Sequence, residues 1–405
     1  MRINNSLLFI IAVFMLFVNT ANAKNNDTKK EKEEGYQFTE IKDIPCPPVE
    51  NQYSSGTCWI FSGLSFFESE MMRLNKPLVN LSEMFVVWHA YNDKAEKMVR
   101  MHGHTNFSAG GAFHDVAYVI KNYGIVPESV YKGLNYGEKK HIHWEMDELL
   151  KDQVNGIIKN KDKRLSTAWR RVLDKTLSTY LGDIPETFRY KGKKYTPKSF
   201  AKNYVGLNMD DYVEITSFTH HPYYQKFILE VPDNWLWGEV YNVPLDDMMK
   251  IIDNSVDNGY TVAWASDVSE KGFSSSKDGV AVIPVADTLS MSDTELAKWD
   301  SLPESKKNSK LYSMEKPGKE KEITSEIRQK AFDNYETTDD HGLQIVGTAK
   351  DQNGTLYYKV KNSWGDYNKY DGFFFASHPY VRYKTTSIMV NKNAIPSEIR
   401  EKIGL

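Results

Sequence analysis

Three residues of the kinds that carry out acyl transfer stand far apart in this chain: Cys58, His341 and Asn362. Cys58 follows the small-residue loop 54–57, which makes Thr57 the predicted N-cap of a helix beginning at Cys58. A helix N-terminus lowers the pKa of a cysteine, and the thiolate is the nucleophilic form. The alternative is an inert thiol in a core helix, because free cysteines are among the most buried residues.

His341 and Asn362 lie on two predicted strands, 341–347 and 356–364, which flank a loop with an Asn-Gly turn motif. A turn at 350–353 would place the two residues directly opposite each other, whereas a later turn would shift the register. A nucleophilic cysteine needs an imidazole as acid and base and a group that orients the imidazole. The hairpin is therefore predicted to bring those two groups together.

Gln52 and Trp364 complete the predicted site. Gln52 precedes Cys58 by six residues, so its side-chain amide and the backbone N–H of Cys58 would form an oxyanion hole. Trp364 follows Asn362 by two residues and would shield the contact between Asn362 and His341 from water.

The stretches "NQYSSGTCWIFS", "DDHGLQIVG" and "YYKVKNSWGD" resemble the papain superfamily of cysteine peptidases. Ser55 replaces the first cysteine of the signature that surrounds the nucleophile in papain. His341 follows Cys58 by 283 residues, compared with about 130–150 in papain. Both departures, together with "GIVPESVY" and "IRQKAFDNYETTDDHG", point to the branch of bleomycin hydrolase and bacterial aminopeptidase C.

The resemblance implies a role for each matching residue. It makes Cys58 the nucleophile, His341 the acid and base, Asn362 the orienting group, Gln52 the oxyanion donor, Gly110 and Gly111 the lining of the non-primed substrate cleft, and Trp59 and Trp364 supporting residues. The implied function is a cysteine aminopeptidase that acts on peptides by an acyl-enzyme mechanism. No cofactor is implied.

The implied fold is α+β: a two-lobed, papain-like peptidase domain over residues 41–405, with helical insertions. The helical lobe is led by 58–74, the insertions lie within about 150–330, and the β-rich lobe covers 341–390. The active site would lie in the groove between the lobes. In relatives the insertions help to build a hexamer, so a homo-oligomer is an expectation here.

Periodicity predicts several elements without reference to any family. Apolar residues at helical spacing predict helices at 111–123, 168–181 and 244–258, and "YTVAWAS" predicts a strand at 260–266. Residues 301–322 are rich in Lys, Glu and Ser and contain a Pro-Gly pair, which predicts an exposed loop.

The N-terminus has the pattern of a cleavable signal peptide at residues 1–23: Arg2, the apolar run "LLFIIAVFMLFV" and a small-x-small end at Ala23. A polar lead-in is expected at 24–40. The chain is therefore predicted to be exported, periplasmic or secreted, without a stable membrane anchor after cleavage. An uncleaved anchor is the alternative.

Charge and cysteine content narrow the other functions. The formal net charge is −3, and removal of residues 1–23 takes away only the charge of Arg2, leaving −4, so no nucleic-acid partner is expected. Histidines such as His102 and His104 lack acidic or cysteine partners at ligand spacing, so no metal site is predicted. Cys46 is interpreted as a packed thiol without a chemical role.

Three alternatives to an aminopeptidase stay open at the level of sequence. One is a papain-like endopeptidase, because the chain ends at "REKIGL" and lacks the longer C-terminal arm that occupies the cleft in relatives. Another is an acyltransferase with a similar Cys-His pair. The last is a catalytically idle binding protein, against which the complete set of Cys58, His341, Asn362 and Gln52 argues.

Overall fold

Two long, almost wholly buried strands near the end of the chain form the centre of the fold, β10 (His341–Asp351) and β11 (Leu356–Lys361). They belong to a computed structural model that describes residues 35–162 and 164–405. Helix α1 (Cys58–Arg73) and helix α7 (Leu245–Asp257) both contact β10. Apolar residues on both faces of these strands are therefore buried.

The elements have the following bounds. The remaining helices are α2 (Glu83–Arg100), α3 (Phe113–Tyr123), α4 (Trp144–Ile158), α5 (Ala168–Leu181), α6 (Pro197–Phe200), α8 (Asp293–Asp300), α9 (Glu304–Leu311), α10 (Ser325–Asp333), α11 (His378–Lys384) and α12 (Ser397–Lys402). The remaining strands are β1 (Phe38–Asp43), β2 (Phe188–Tyr190), β3 (Lys193–Tyr195), β4 (Tyr212–Thr216), β5 (Gln225–Ile228), β6 (Glu239–Asn242), β7 (Val262–Ser266), β8 (Phe273–Ser274), β9 (Val280–Ala281), β12 (Phe373–Ser377) and β13 (Thr385–Asn391).

Within the described residues, an 11-stranded sheet has the order β5-β6-β4-β13-β7-β10-β11-β12-β9-β8, with β1 paired to β10 outside this path. Strand β10 pairs with β7 through residues 341–345 and with β1 through residues 347–351. The segment 150–330, which the sequence analysis predicts to contain insertions, therefore contributes strands, β7 among them, to the same sheet that carries His341.

The hydrophobic core forms two main clusters, one for each side of the fold. The larger cluster lies among α1 to α5 and contains Phe66 and Phe85. The second lies between the sheet and helices α7, α11 and α12, and contains Trp264 and Tyr380. In α1 every residue from Trp59 to Met71 is buried, so this helix contacts both helices and sheet, as its apolar sequence predicts.

Several sequence predictions are confirmed and one is wrong. Helix α5 spans the predicted 168–181, and α1, α3 and α7 begin within two residues of their predicted starts. The segment 301–322, predicted to be a loop, instead contains helix α9. No residue of α9 is buried, so this helix lacks the apolar stripe on which the prediction relies.

The predicted signal peptide and residues 24–34 of the lead-in lie outside the described residues. Strand β1 begins at Phe38, inside the stretch expected to be a polar lead-in up to residue 40. Among the described residues, no helix combines the length and the apolar character needed to cross a membrane.

Candidate active site

Cys58 is the first residue of α1 and is partly exposed. Thr57 is the N-cap residue, as predicted, but its side chain does not cap the helix: its hydroxyl lies 2.6 Å from Ser55 Oγ. Gly56 allows the loop to approach Ala109 closely, because a Cβ at this position would lie 2.6 Å from Ala109 Cβ. The loop thus places the thiol at the N-terminal end of a buried helix.

His341 and Asn362 are in contact, although the strand register differs from the one that a turn at 350–353 would produce. Gln344 pairs with Lys361, and a bulge between Ile345 and Gly347 shifts the pairing by a further residue. The turn forms after Asp351, so His341 is not the cross-strand partner of Asn362. The side chains nevertheless meet, with His341 Nε2 at 2.8 Å from Asn362 Oδ1.

The hydrogen bonds of Asn362 determine which nitrogen of His341 carries a proton. Asn362 Oδ1 also accepts from the backbone N–H of Ser363 at 2.8 Å, and Asn362 Nδ2 donates to Tyr367 Oη at 3.0 Å. The atom facing His341 is therefore an acceptor, so His341 Nε2 donates to it. The other ring nitrogen, Nδ1, is left with its lone pair available for a proton.

Trp364 covers this pair, as predicted. Its ring centroid lies 4.9 Å from that of His341, with 36° between the planes, and 5.4 Å from that of Tyr367. Asn362 is 3% exposed and His341 is 7% exposed. Their hydrogen bond is therefore shielded from competing water.

Gln52 reaches the site through pairing of its loop with the segment after β11. Its backbone N–H donates to Ser363 O at 2.8 Å. Its side chain accepts from Ser363 Oγ at 2.6 Å and donates from Nε2 to Ser55 O at 2.7 Å. Since an amide nitrogen has two hydrogens, one Nε2 hydrogen remains for an oxygen in the cavity that Gln52 lines.

Gly342 allows β10 to pack directly on the first turn of α1. A Cβ at this position would lie 2.7 Å from Ser62 Oγ and 2.9 Å from Trp59 Cα. Any larger residue would push the strand away from the helix. This close approach is how a histidine 283 residues away comes to share a cavity with Cys58.

Burial dominates the protonation of both reactive groups. It raises the pKa of the Cys58 thiol to about 12, against the backbone N–H groups of Gly342 and Trp59, which favour the thiolate. Burial also lowers the pKa of His341 to about 4, against the hydrogen bond to Asn362. Burial thus disfavours the charged form of each group taken separately. Proton transfer between them would create two charges that attract each other.

One cavity of about 470 Å³ contains the predicted site. Asn362 does not line this cavity, but it is hydrogen-bonded to His341, which does. The other seven predicted site residues all line it: Gln52, Cys58, Trp59, Gly110, Gly111, His341 and Trp364. The cavity thus brings together residues from the segments 52–59, 110–111 and 341–364.

The space beside the two glycines is filled by the protein itself. A Cβ at Gly110 would lie 1.9 Å from Asp233 Oδ2, and a Cβ at Gly111 would lie 2.7 Å from the Trp59 ring. Glycine is therefore required here for packing, while the backbone of both residues still lines the cavity. Buried Lys94 holds this loop by donating to Ser108 O at 2.9 Å and to Gly110 O.

Acidic residues on the cavity wall are the feature that sequence reasoning missed. Asp233, Asp339, Asp340 and Glu214 line the cavity. Their carboxylates come from separate loops and strands with no common spacing. Only the pair of Asp residues just before His341 forms a local signal in the sequence.

Two of these carboxylates lie within electrostatic reach of the Cys58 thiol. After burial, Asp233 and Asp339 are the main charges that raise the pKa of Cys58. Burial, reinforced by the charge of Asp233, raises the pKa of Asp339 to about 7. This wall of the cavity therefore favours a cationic group.

His114, on the same lining, already has its own anionic partners. Burial lowers its pKa, but the carboxylates of Glu214 and Asp115 outweigh that effect and raise the pKa to about 9. Its Nδ1 lies 3.0 Å from Glu214 Oε2. The His114 charge is thus balanced by Glu214 and Asp115 rather than by Asp233 or Asp339.

Cys46 and Leu405 lie outside this cavity. Both cysteines are free in the structure, and burial raises the pKa of the Cys46 thiol. Leu405 lines a separate cavity with Lys121, Tyr212 and other residues. The last residue of the chain therefore does not line the cavity that contains Cys58.

Comparison with known proteins relates nearly the whole chain to peptidases. The sequence model of the Peptidase C1-like family matches residues 6–317 and 319–404. Similar proteins include Aminopeptidase G of Lactobacillus delbrueckii subsp. lactis, 23% identical over 89% of this chain and 85% of that protein. Aminopeptidase C of Lactococcus lactis subsp. cremoris is 24% identical over 88% and 83%, respectively.

A mitochondrial protein and a solved structure extend the comparison. Cysteine proteinase 1, mitochondrial, of Saccharomyces cerevisiae is 22% identical over 95% of this chain and 83% of its own. The crystal structure of pepw from Lactobacillus rhamnosis HN001 superimposes with a TM-score of 0.66 at 20% identity, covering 90% of this chain and 84% of that one. Its likeness concerns the fold.

Proposed function

Because this chain belongs to the Peptidase C1-like family and is a cysteine-type peptidase with the papain-like fold, we propose that it is an aminopeptidase with a Cys-His-Asn mechanism. The observation that carries the proposal is the shielded hydrogen bond between His341 Nε2 and Asn362 Oδ1 beside the cavity that contains Cys58. Relatives named Aminopeptidase G and Aminopeptidase C support the exopeptidase part.

The proposed reaction has two halves that mirror each other. Cys58 Sγ gives its proton to His341 Nδ1 and attacks the carbonyl carbon of the first peptide bond. The proton then passes to the leaving nitrogen, the C–N bond breaks, and a thioester remains on Cys58. Water gives a proton to His341 and attacks the thioester carbonyl. The C–S bond breaks, His341 returns the proton to Cys58 Sγ, and the N-terminal amino acid is released.

The developing oxyanion would accept hydrogen bonds from the backbone N–H of Cys58 and from Gln52 Nε2. The bonds from Ser363 Oγ to Gln52 Oε1 and from Gln52 Nε2 to Ser55 O hold the amide in place before substrate arrives. A donor that is already oriented stabilises the transition state without a cost for reorientation.

Recognition of a free N-terminus is assigned to Asp233 and Asp339. Asp233 Oδ1 accepts from Asn106 Nδ2 at 2.9 Å and from Ser108 Oγ at 3.2 Å, while Oδ2 lies against Gly110 on the proposed non-primed side. An ammonium group between the two carboxylates would offset their mutual repulsion. It would also lower the pKa of Cys58 by neutralising the charges that raise it.

The test compares matched peptides that differ only in N-acetylation and have uncharged side chains. We expect kcat/KM for the free peptide to exceed that for the acetylated one by about 10- to 100-fold, the value of a hydrogen bond to a charged group. Asp233→Asn and Asp339→Asn should each narrow the difference. Asp287→Asn, at an exposed carboxylate paired with Lys319, is the control and should leave it unchanged.

An endopeptidase is the second candidate, since no described residue after Ser387 lines the cavity that contains Cys58. Equal cleavage of free and acetylated peptides by the wild-type protein would favour that function. If Asp233 and Asp339 recognise the amino group, deletion of Gly404 and Leu405 should leave the preference intact. Loss of the preference on that deletion would instead assign recognition to the C-terminal residues.

Export and assembly stay proposals. The signal-peptide pattern at residues 1–23 supports transport across a membrane, to the periplasm or outside the cell. The family resemblance supports a homo-hexamer. Light scattering of the purified chain after gel filtration would test the assembly, and a monomeric mass at working concentration would contradict it.

A further inference from the structure

A cluster of potential metal ligands lies outside the catalytic cavity. His220 Nε2 is 3.0 Å from Glu230 Oε2, and His221 Nε2 is 2.8 Å from Glu230 Oε1. One ligand atom from each of the three residues lies within 4.8 Å of the others. Two histidines that are adjacent in sequence therefore point the same ring nitrogen at one carboxylate.

Packing holds both rings in this arrangement. The His221 ring stacks on Phe227, with centroids 4.2 Å apart and 26° between planes. The His220 ring lies parallel to Phe332, with centroids 5.8 Å apart and 18° between planes. An aromatic ring thus lies beside each imidazole and limits its rotation before any ion binds.

Gln329 sets up the outer side of His220. Its Nε2 and Oε1 lie 3.0 Å and 3.2 Å from His220 Nδ1. When His220 Nε2 carries the proton and faces Glu230, Gln329 Nε2 donates to His220 Nδ1. When His220 Nε2 instead offers its lone pair to an ion, His220 Nδ1 carries the proton and donates to Gln329 Oε1. A glutamine serves both protonation patterns, and such outer partners orient metal-binding histidines.

We propose that His220, His221 and Glu230 bind one divalent transition-metal ion of the zinc class. Two imidazole nitrogens and a carboxylate are the donors that such ions prefer, and the exposure of His220 and Glu230 leaves room for water as a further ligand. No motif in the sequence predicts this site, because Glu230 is brought next to the two histidines only by the folding of the segment 222–229 between them.

The position of the site suggests its role. Glu230 lies between Leu229 and Val231, which line the catalytic cavity, and three residues before Asp233. A bound ion would join the turn at 220–222 to this segment and steady the wall that carries Asp233. The inference does not depend on the aminopeptidase proposal, because it concerns binding alone.

The experiment uses the full chain with Cys58→Ala, which removes the reactive thiol as a competing ligand. Calorimetric titration with Zn²⁺ should give one site per chain, and Co²⁺ should develop the intense visible absorption of a low-coordinate complex. Glu230→Gln and the double variant His220→Ala/His221→Ala should abolish both signals. The double variant His102→Ala/His104→Ala, at two other exposed histidines, should retain them.

A further variant tests whether the hydrogen bond from Gln329 helps His220 to bind the ion. Gln329→Ala should weaken Zn²⁺ binding by about 10- to 100-fold, as expected for loss of an outer partner. Undiminished binding in the His220→Ala/His221→Ala and Glu230→Gln variants, or Co²⁺ spectra identical to those of the free ion, would overturn the proposal.

Discussion

At the residue scale, the hydrogen bond between His341 and Asn362 fixes the tautomer of His341 that, in the proposed mechanism, takes a proton from Cys58. The same bond limits the rotation of the imidazole, since Trp364 lies over the ring. In the proposed mechanism Asn362 takes no part in bond making. It would orient His341, and the loss of orientation is a smaller effect than the loss of a reacting group.

We therefore predict that Asn362→Ala lowers kcat/KM by about 10²-fold, the scale of a misplaced catalytic group. Tyr367→Phe removes the hydrogen bond that Asn362 Nδ2 donates, at 3.0 Å, but leaves Asn362 in place, and should cost less than about tenfold. Steady-state kinetics of the two variants checks this. An equal loss in both would mean that Tyr367 has a role beyond support.

The pKa of Asp339 predicts a pH dependence for substrates with a free amino group. Burial first, and then the charge of Asp233, raise this pKa to about 7. As the pH rises through 7, Asp339 becomes ionised and can pair with the ammonium group, so KM should fall. Above about 8 the peptide's own amino group loses its proton, and KM should rise again.

Asp339→Asn should remove the acidic limb of this profile, because an amide does not titrate. The measurement is KM against pH for the wild type and the variant with the same free peptide. The N-acetylated peptide serves as control and should show neither limb. Superimposable profiles for wild type and variant would rule out Asp339 as the group that pairs with the substrate.

At the scale of elements, the active site depends on the approach of β10 to α1 at Gly342. We predict that Gly342→Ala lowers the free energy of unfolding by about 1–3 kcal/mol, as overpacking does, and reduces kcat by displacing His341. The reason is that the new Cβ would lie 2.7 Å from Ser62 Oγ and 2.9 Å from Trp59 Cα. Urea unfolding and kinetics test both effects.

The control is Gly156→Ala in α4. A Cβ at this glycine would meet no atom within 4 Å, and alanine is the better helix former by about 0.5–1 kcal/mol. Gly156→Ala should therefore stabilise the chain and leave kcat unchanged. If Gly342→Ala behaved in the same way, the close approach of strand and helix would not be what positions His341.

Elements with a regular apolar pattern could be predicted from the sequence, whereas others could not. Helix α5 was predictable because Leu173, Leu177 and Leu181 recur on one buried face. Helix α9 was missed because none of its residues is buried and most of them are polar. The register of β10 and β11 stayed open because the sequence allowed turns at two positions and the bulge after Ile345 has no sequence signature.

At the scale of the whole molecule, sequence motifs alone are enough to predict that Cys58, His341 and Asn362 share one site. The motifs around these residues match one family, and that match relates Cys58 to His341 although 283 residues separate them. Asp233 and Glu230 belong to the segment between β5 and β6, whose position relative to α1 is set by tertiary packing. No local pattern encodes that relation, so the acidic wall and the histidine cluster emerge only from the fold.

The N-terminal pattern leads to a prediction about the exported chain. Mass spectrometry of the mature protein should find an N-terminus near Lys24, because residues 21–23 fit a small-x-small cleavage site. It should also find Cys46 and Cys58 unbridged, as they are in the structure. A chain that retains residues 1–23 in the membrane fraction would instead establish an uncleaved anchor.

The most direct test of the proposed mechanism is peptide hydrolysis by Cys58→Ala compared with Cys46→Ala, the matched change at the other cysteine. We expect both variants to fold, with circular dichroism spectra like that of the wild type. Cys58→Ala should lose kcat/KM by on the order of 10⁴-fold or more, since a nucleophile is removed, while Cys46→Ala retains it. A folded Cys58→Ala variant that hydrolyses peptides at the wild-type rate would contradict the assignment of Cys58 as the nucleophile.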